Sequence, residues 1–293
     1  MANTMVIGAG VVGAATGQGL LDRGHQVTYV DVNPATIDRL RNEGYTAITP
    51  DLVDVNSVDV IFLSVTALTA PDGIDLTHLL AATANLGSKL KHTASGHFPV
   101  IVFRCTMPPG TTEDKLIPLL EKHSDKEEGR DFGVVYMPEY LRAVSAKEDF
   151  AKPRILVFAT GETGNQSHQA MLTLFHDFGA PMHWMSYRAA EFQKYVNNIT
   201  NAAKISLMNE LRRIADELDI DPQEVQRAFE ITAQSAENMW NSQYGLRNFG
   251  AYGGACLPKD VAAWLLFLDQ EGVEFGSPMI TATQLVNQQL GGK

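Results

Sequence analysis

The sequence is poor in cysteine and in positive charge, and it has no long apolar run. Of its 293 residues only Cys105 and Cys256 are cysteines, far apart, so no disulfide framework is expected. Lys and Arg number 23 against 34 Asp and Glu, a formal net charge of -11. Neutralising phosphates needs clustered cations, so this balance argues against a nucleic-acid partner. No apolar stretch is long enough to span a bilayer. The opening "MANTMVIGAG" lacks the charged start and leucine-rich core of a signal peptide. There is no low-complexity tract or short-period repeat. The histidines are scattered without ligand spacing, so no metal is expected. These absences leave a cytoplasmic protein with reduced thiols, and its length favours two domains.

The first of them is written in residues 4–34, "TMVIGAGVVGAATGQGLLDRGHQVTYVDVNP". A short apolar run, Met5 to Ile7, reads as a buried strand. Gly8, Gly10 and Gly13 follow as G-x-G-x-x-G, then a helix through about Arg23, ended by Gly24. "HQVTYVD" is a second strand closing on Asp31. Gly8 permits a tight turn, Gly10 lets a pyrophosphate approach the backbone, and Gly13 lets the helix lie close to the strand. The helix N-terminus, with Val11 and Val12, offers N–H groups to phosphates. Asp31 would accept from ribose hydroxyls and repel a 2′-phosphate, so NAD is expected rather than NADP. Apolar runs at 59–65, 99–104, 132–137 and 154–160 read as further strands, the last closing the sheet. Helical stretches lie around 76–90, 112–122 and 164–178. This alternation predicts an α/β fold with a Rossmann-like, doubly wound parallel sheet over residues 1–186. Ligands sit beyond the carboxyl ends of such strands, at loops such as "SVTALTAPDGIDL", "RCTMPPGTT" and "MPEYLRAVSAKEDFAKP".

Residues 187–293 read as all-helical. One long helix is expected from Tyr187 to about Leu218, with an apolar face on Phe192, Tyr195, Val196, Ile199, Ala203 and Ile205. Such a face wants a large cover, so a homodimer across helix 187–218 is expected. Lys194 and Asn198, four apart, share another face. Asp221 reads as the N-cap of the next helix with Pro222 in its first turn. Further helices are expected from about Pro258 to Gly272 and over "SPMITATQLVNQQL". Cys256, in "GGACLPKD", then stands just before a helix N-terminus, where dipole and N–H groups favour a thiolate. Lys259 adds positive charge, Gly253 and Gly254 clear space at the sulfur, and Asp260 lies in the first turn. The competing reading is a small buried apolar residue.

At these motifs the chain resembles the UDP-glucose/GDP-mannose 6-dehydrogenase family, nearly end to end. "PPGTT" after Thr106, "MPEYLR…DFAKPRI", "AAEFQKYVNN…AAKISLMNEL" and "GGACLPKD" carry the resemblance. It implies a four-electron oxidation of a sugar's primary alcohol to a carboxylate, reducing two NAD. The cysteine matching Cys256 would add to the intermediate aldehyde as a thiohemiacetal, later a thioester that water hydrolyses. Lys194 matches a lysine that stabilises the oxyanion, Asn198 its partner, and Asp260 an aspartate that positions water or takes protons. Glu139 matches the hydrolytic base. Thr106 matches a threonine near the nicotinamide and the catalytic water, and Thr66 and Lys259 match positions that touch the dinucleotide.

Three departures stand out. "PEYLRAVS" has Ala143 where the family has a second glutamate, which bears on thioester hydrolysis. The family's Arg-Ile-Gly stretch before the cysteine falls at "ENMWNSQYGLRNFG" in a loose alignment, where Arg247 is a candidate substitute. The chain ends at "NQQLGGK" without the family's third, nucleotide-binding domain. A natural short form is expected, acting on a nucleotide sugar or a smaller sugar or nucleoside derivative. Two other readings stay open: a two-electron dehydrogenase of the hydroxyacid type, needing no cysteine, and a non-catalytic NAD-binding partner protein.

Overall fold

The computed structural model describes the chain except residues 72, 163, 218, 236–249, 271–276 and 293. It separates into two compact units, Met1–Leu68 with Asp75–Phe192, and Thr69–Ile74 with Gln193–Lys293. Among the described residues no helix is long and apolar enough to cross a membrane.

The first unit opens with β1 (Asn3–Ile7), α1 (Val11–Leu21), β2 (Gln26–Val30), α2 (Pro34–Asn42), β3 (Thr46–Ile48) and β4 (Val60–Leu63). A short ladder of β5 (Leu68–Ala70) and β6 (Gly73–Asp75) interrupts it, within a stretch the sequence suggested was loop; its residues Thr69–Ile74 belong to the second unit. Then come α3 (Thr77–Leu90), β7 (Val100–Phe103), a π-helical turn (Thr112–Leu116), α4 (Ile117–Ser124) and β8 (Gly133–Tyr136). The unit closes with α5 (Ala146–Ala151), β9 (Leu156–Ala159), α6 (Gln166–Phe175) and β10 (Met182–Met185). Strands β4, β7, β8 and β9 are buried along their whole length. Continuous apolar runs of this kind belong to a sheet covered on both faces.

The strand order is β10-β9-β8-β7-β4-β1-β2-β3. From β1 the chain winds outward through β2 and β3, then crosses back to β4 on the other side of β1. That reversal makes a switch point, where the loops after β1 and β4 part. The sheet differs from the all-parallel one expected. β9 meets β8 antiparallel through the single pair Tyr136↔Ala159, and β10, not β9, is the last strand. A parallel return needs a long crossover, usually a helix laid on the sheet. Here the connection's helix, α5, has only six residues and packs on α1. Its Phe150 ring sits where a Cβ on Gly19 would come within 2.2 Å. β10, "MHWM", lies at the sheet edge and is only half-buried, so it lacks the apolar signature of the inner strands.

The long helix α7 (Tyr187–Glu217) leads into the second unit, with α8 (Pro222–Ser235), α9 (Leu257–Gln270) and α10 (Pro278–Gln289). Asp221 caps α8 as expected, accepting from Gln223 N–H at 2.8 Å. Ala202 and Ile205 of α7 pack with Tyr252, Leu257, Val261 and Ile280. Of the face read from sequence, Tyr195 and Ile205 are buried, whereas Phe192 and Val196 remain 47% and 45% exposed. The expected ends at Leu218 and Gly272, and Arg247, lie outside the described residues.

Candidate active site

In the first unit the glycine loop carries a candidate cofactor site. Gly8 sits at φ +89°, and a Cβ there would meet Ser64 O at 2.8 Å. A Cβ on Gly13 would stand 1.9 Å from Gly8 O, so glycine is required for helix and strand to touch. Gly10 is the N-cap of α1, with no side chain capping the helix and open space on its Cβ side. Val11 is exposed and Val12 half-buried in the first turn. Asp31 accepts from Ala9 N–H and Asn33 N–H, both at 2.9 Å, so it braces the loop from the end of β2. Each of its oxygens keeps a further lone pair for a hydroxyl donor. An uncapped helix start, a Cβ-free approach and a carboxylate at the second strand end fit a dinucleotide. Thr66, after β4, is exposed.

Thr106 and Glu139 follow the neighbouring strands β7 and β8 and are 7% and 9% exposed. Glu139 Oε2 accepts from Leu141 N–H at 2.7 Å. Between the strand ends lies Arg104, which the sequence reading passed over although a charge closes the run "PVIVFR". Arg104 is 2% exposed. Its guanidinium meets Met137 Sδ at 3.4 Å and lies 5.5 Å from the Phe150 ring centroid. Burial pushes its pKa down to about 10, against the pull of Glu139 and Cys105. Cys105 is buried, its Sγ directed at Val65 O at 2.7 Å. Ala143 is exposed in the turn before α5, on a cavity of about 290 Å3 that Val11 and Ala14 also line.

The loop after Thr106 is held by a second residue the sequence reading missed, Glu191 of α7. Fully buried, it accepts from Gly110 N–H at 2.5 Å, Thr112 N–H at 2.8 Å and Thr112 Oγ1 at 2.7 Å. Burial raises its pKa, and these donors oppose the rise.

In the second unit Lys194, Asn198 and Asp260 are 2%, 6% and 1% exposed. Lys194 Nζ donates to Asn198 Oδ1 at 3.3 Å, and Asn198 Nδ2 donates to Asp260 Oδ2. Lys259, expected at the dinucleotide, has its ammonium 2.5 Å from Asp260 Oδ1. Cys256 stands immediately before α9, half-buried, its carbonyl accepting from Asp260 N–H at 2.8 Å. It therefore occupies the N-cap, and α9 starts at Leu257, one residue before the start read from sequence. Gly253, Gly254 and Ala255 ahead of it are exposed, and Gly254 takes φ +80°.

The switch-point glycine loop on a mostly parallel sheet has the form of a dinucleotide-binding unit. The helical unit by itself buries a lysine, an asparagine and an aspartate, the last in the first turn of the helix that Cys256 caps. The comparisons are specific. Residues 188–289 match the central domain of the UDP-glucose/GDP-mannose dehydrogenase family, and residues 2–57 and 44–179 match its NAD binding domain. The chain belongs to that family. It is 31% identical over 279 residues to the GDP-mannose 6-dehydrogenase of Pseudomonas syringae pv. syringae, covering 88% of this chain and 62% of that protein. It is 29% identical over 308 residues to a UDP-glucose 6-dehydrogenase of Pseudomonas aeruginosa, covering 96% and 64%. Among solved structures, a UDP-glucose dehydrogenase from Pyrobaculum islandicum matches with a TM-score of 0.83 at 30% identity, covering 99% of this chain and 68% of that one. The chain thus spans less than two thirds of the length of the curated relatives it matches.

Proposed function

We propose that the chain oxidises a sugar's primary alcohol to the carboxylate in two steps, with Cys256 as covalent carrier. The observation that carries the reading is the buried set Lys194, Asn198 and Asp260, paired with the half-buried Lys259 and joined to the helix turn that Cys256 caps. Gly8, Gly10, Gly13 and Asp31 would hold NAD, which would supply the hydride acceptor for each oxidation. The chain's own residues handle protons, charge and the acyl group. Lys194, a fixed buried cation, stabilises the substrate oxygen as its proton passes to Asp260 or a water that Asp260 holds, and again as it becomes an oxyanion. The Cys256 thiolate adds to the aldehyde carbon, giving a thiohemiacetal held as its oxyanion, whose carbon bears a hydride to lose. That loss leaves a thioester. Glu139 takes a proton from water as the water attacks the thioester carbon, and the thiolate departs. Thr106 and Asp260 are given the placing of that water on the family resemblance alone.

The substrate class is a nucleotide sugar, by analogy with relatives named for GDP-mannose and UDP-glucose, or a smaller derivative with the same hydroxymethyl group. A second copy of the chain covers the exposed Phe192 and Val196. The test counts NADH per alcohol consumed over a panel of nucleotide sugars, sugar phosphates and free sugars. Two NADH with an acid product support the reading. One NADH, with a carbonyl product and activity retained in Cys256→Ala, would replace it by the two-electron reading.

A further inference from the structure

Neighbouring residues on a helix do not face each other, yet Asn197 turns its carboxamide onto Asn198. Its Nδ2 donates to Asn198 Oδ1 at 3.0 Å, while Lys194 reaches the same oxygen only at 3.3 Å. A carbonyl oxygen has two lone pairs, so both donors are accommodated. The other end of the Asn198 amide donates to Asp260. With both charged neighbours in place the orientation is decided, since a flipped amide would set N–H against ammonium and oxygen against carboxylate.

Turnover, as read above, disturbs both neighbours. Lys194 has to engage a substrate oxygen, and Asp260 the water. Asn197 is the donor on Asn198 Oδ1 that neither event calls away, and its bond is the shorter of the two. We propose that Asn197 is a positioning residue. It holds the Asn198 carboxamide with its N–H end towards Asp260, so that Lys194 can turn from Asn198 to the substrate without the amide flipping. This rests on the catalytic roles proposed for Lys194 and Asp260.

The experiment reads the Asn198 side-chain amide by 1H–15N NMR, assigned by its absence in Asn198→Ala. Hydrogen exchange of that NH2 is compared in wild type, Asn197→Ala, Asn197→Asp and Asn197→Gln, beside kcat and KM on the substrate found above. Asn197→Ala and Asn197→Asp are expected to speed exchange, and to lower kcat, by at least about tenfold with KM within about twofold. Asn197→Gln, which keeps the donor, restores both. Unchanged exchange in a folded Asn197→Ala overturns the proposal, as does an equal loss in Asn197→Gln. If Asn197→Ala fails to fold, the near-isosteric Asn197→Asp decides in the same way. Should no alcohol be oxidised at all, the proposed function fails, and amide exchange alone still decides the role of Asn197.

Discussion

Cys256 and Glu191 show how much one position can carry. If the thiol is the acyl carrier, Cys256→Ser leaves a weaker nucleophile at the α9 N-cap, and oxidation should stop at the aldehyde level. The expected result is a loss of the second NADH and of acid product, read by product analysis; acid formed at the wild-type rate would remove the covalent role. Ala143 supports a related expectation. Without the family's second glutamate, hydrolysis is slowed and acyl-enzyme should accumulate, visible as a burst of NADH and a mass increase on Cys256. Glu191 makes a stability prediction. Its carboxyl is raised above its ordinary value of 4.5, chiefly by burial. The folded state therefore holds the proton more tightly than the unfolded chain, so its contribution is present at low pH and is lost as pH rises through the folded pKa. Glu191→Gln, which does not titrate, should cost about 1–3 kcal/mol where it leaves N–H donors unmet. The stability advantage of wild type over the variant should shrink as pH rises from about 4.5. Denaturation across pH 4–8 checks this, and an advantage that grows instead would mean that the hydrogen bonds outweigh burial.

At the scale of elements, α1 and the connection after β8 decide the architecture. α1 is built from small residues because it is crowded on three sides. Gly13 lies on the backbone of Gly8, Gly17 under Tyr29 and Gly19 under Phe150. Gly13→Ala forces its Cβ into a carbonyl oxygen, so helix and strand must part. The expected outcome is a fall in NAD affinity of at least about tenfold together with a lower melting temperature. Calorimetric titration with NAD tests it, and unchanged affinity would show that the loop tolerates the shift. The glycine fingerprint, the acid after β2 and the strands through β8 were legible in the sequence because each is a local pattern: apolar runs, turn residues, fixed spacing. The reversal at β9 was not, because strand direction depends on where the connecting helix docks. Nothing within "RILVFAT" records that α5 lies on α1 rather than on the sheet.

For the whole molecule the open apolar face of α7 is the feature that wants an explanation. Phe192 and Val196, four apart on one stripe, are nearly half exposed in the single chain. A second copy docking there predicts a dimer by sedimentation, and Phe192→Glu with Val196→Glu should give a monomer with its far-UV spectrum preserved. A wild-type monomer at micromolar concentration would sink the dimer. The NAD unit should keep its affinity in the variant, since its glycine loop is complete within one chain.

The sequence by itself determined the dinucleotide fold and the helices after it, because these rest on periodicity and glycine spacing; Cys256, Lys194, Asn198 and Asp260 were singled out by motif resemblance to the family. Only the tertiary structure decided the partners. It paired Lys259 with Asp260, turned Asn197 onto Asn198, buried Arg104 between strand ends and fastened Glu191 to the loop after Thr106. Asn197 and Asn198 adjoin in sequence, and Lys259 and Asp260 do too, yet neither adjacency announces a contact. Arg104 read as a strand end, and Glu191 as one more polar residue on a helix. The physical reason is the same in each case. A buried polar group must find partners, and which groups it meets depends on packing across distant segments and on rotamers that spacing along the chain does not encode.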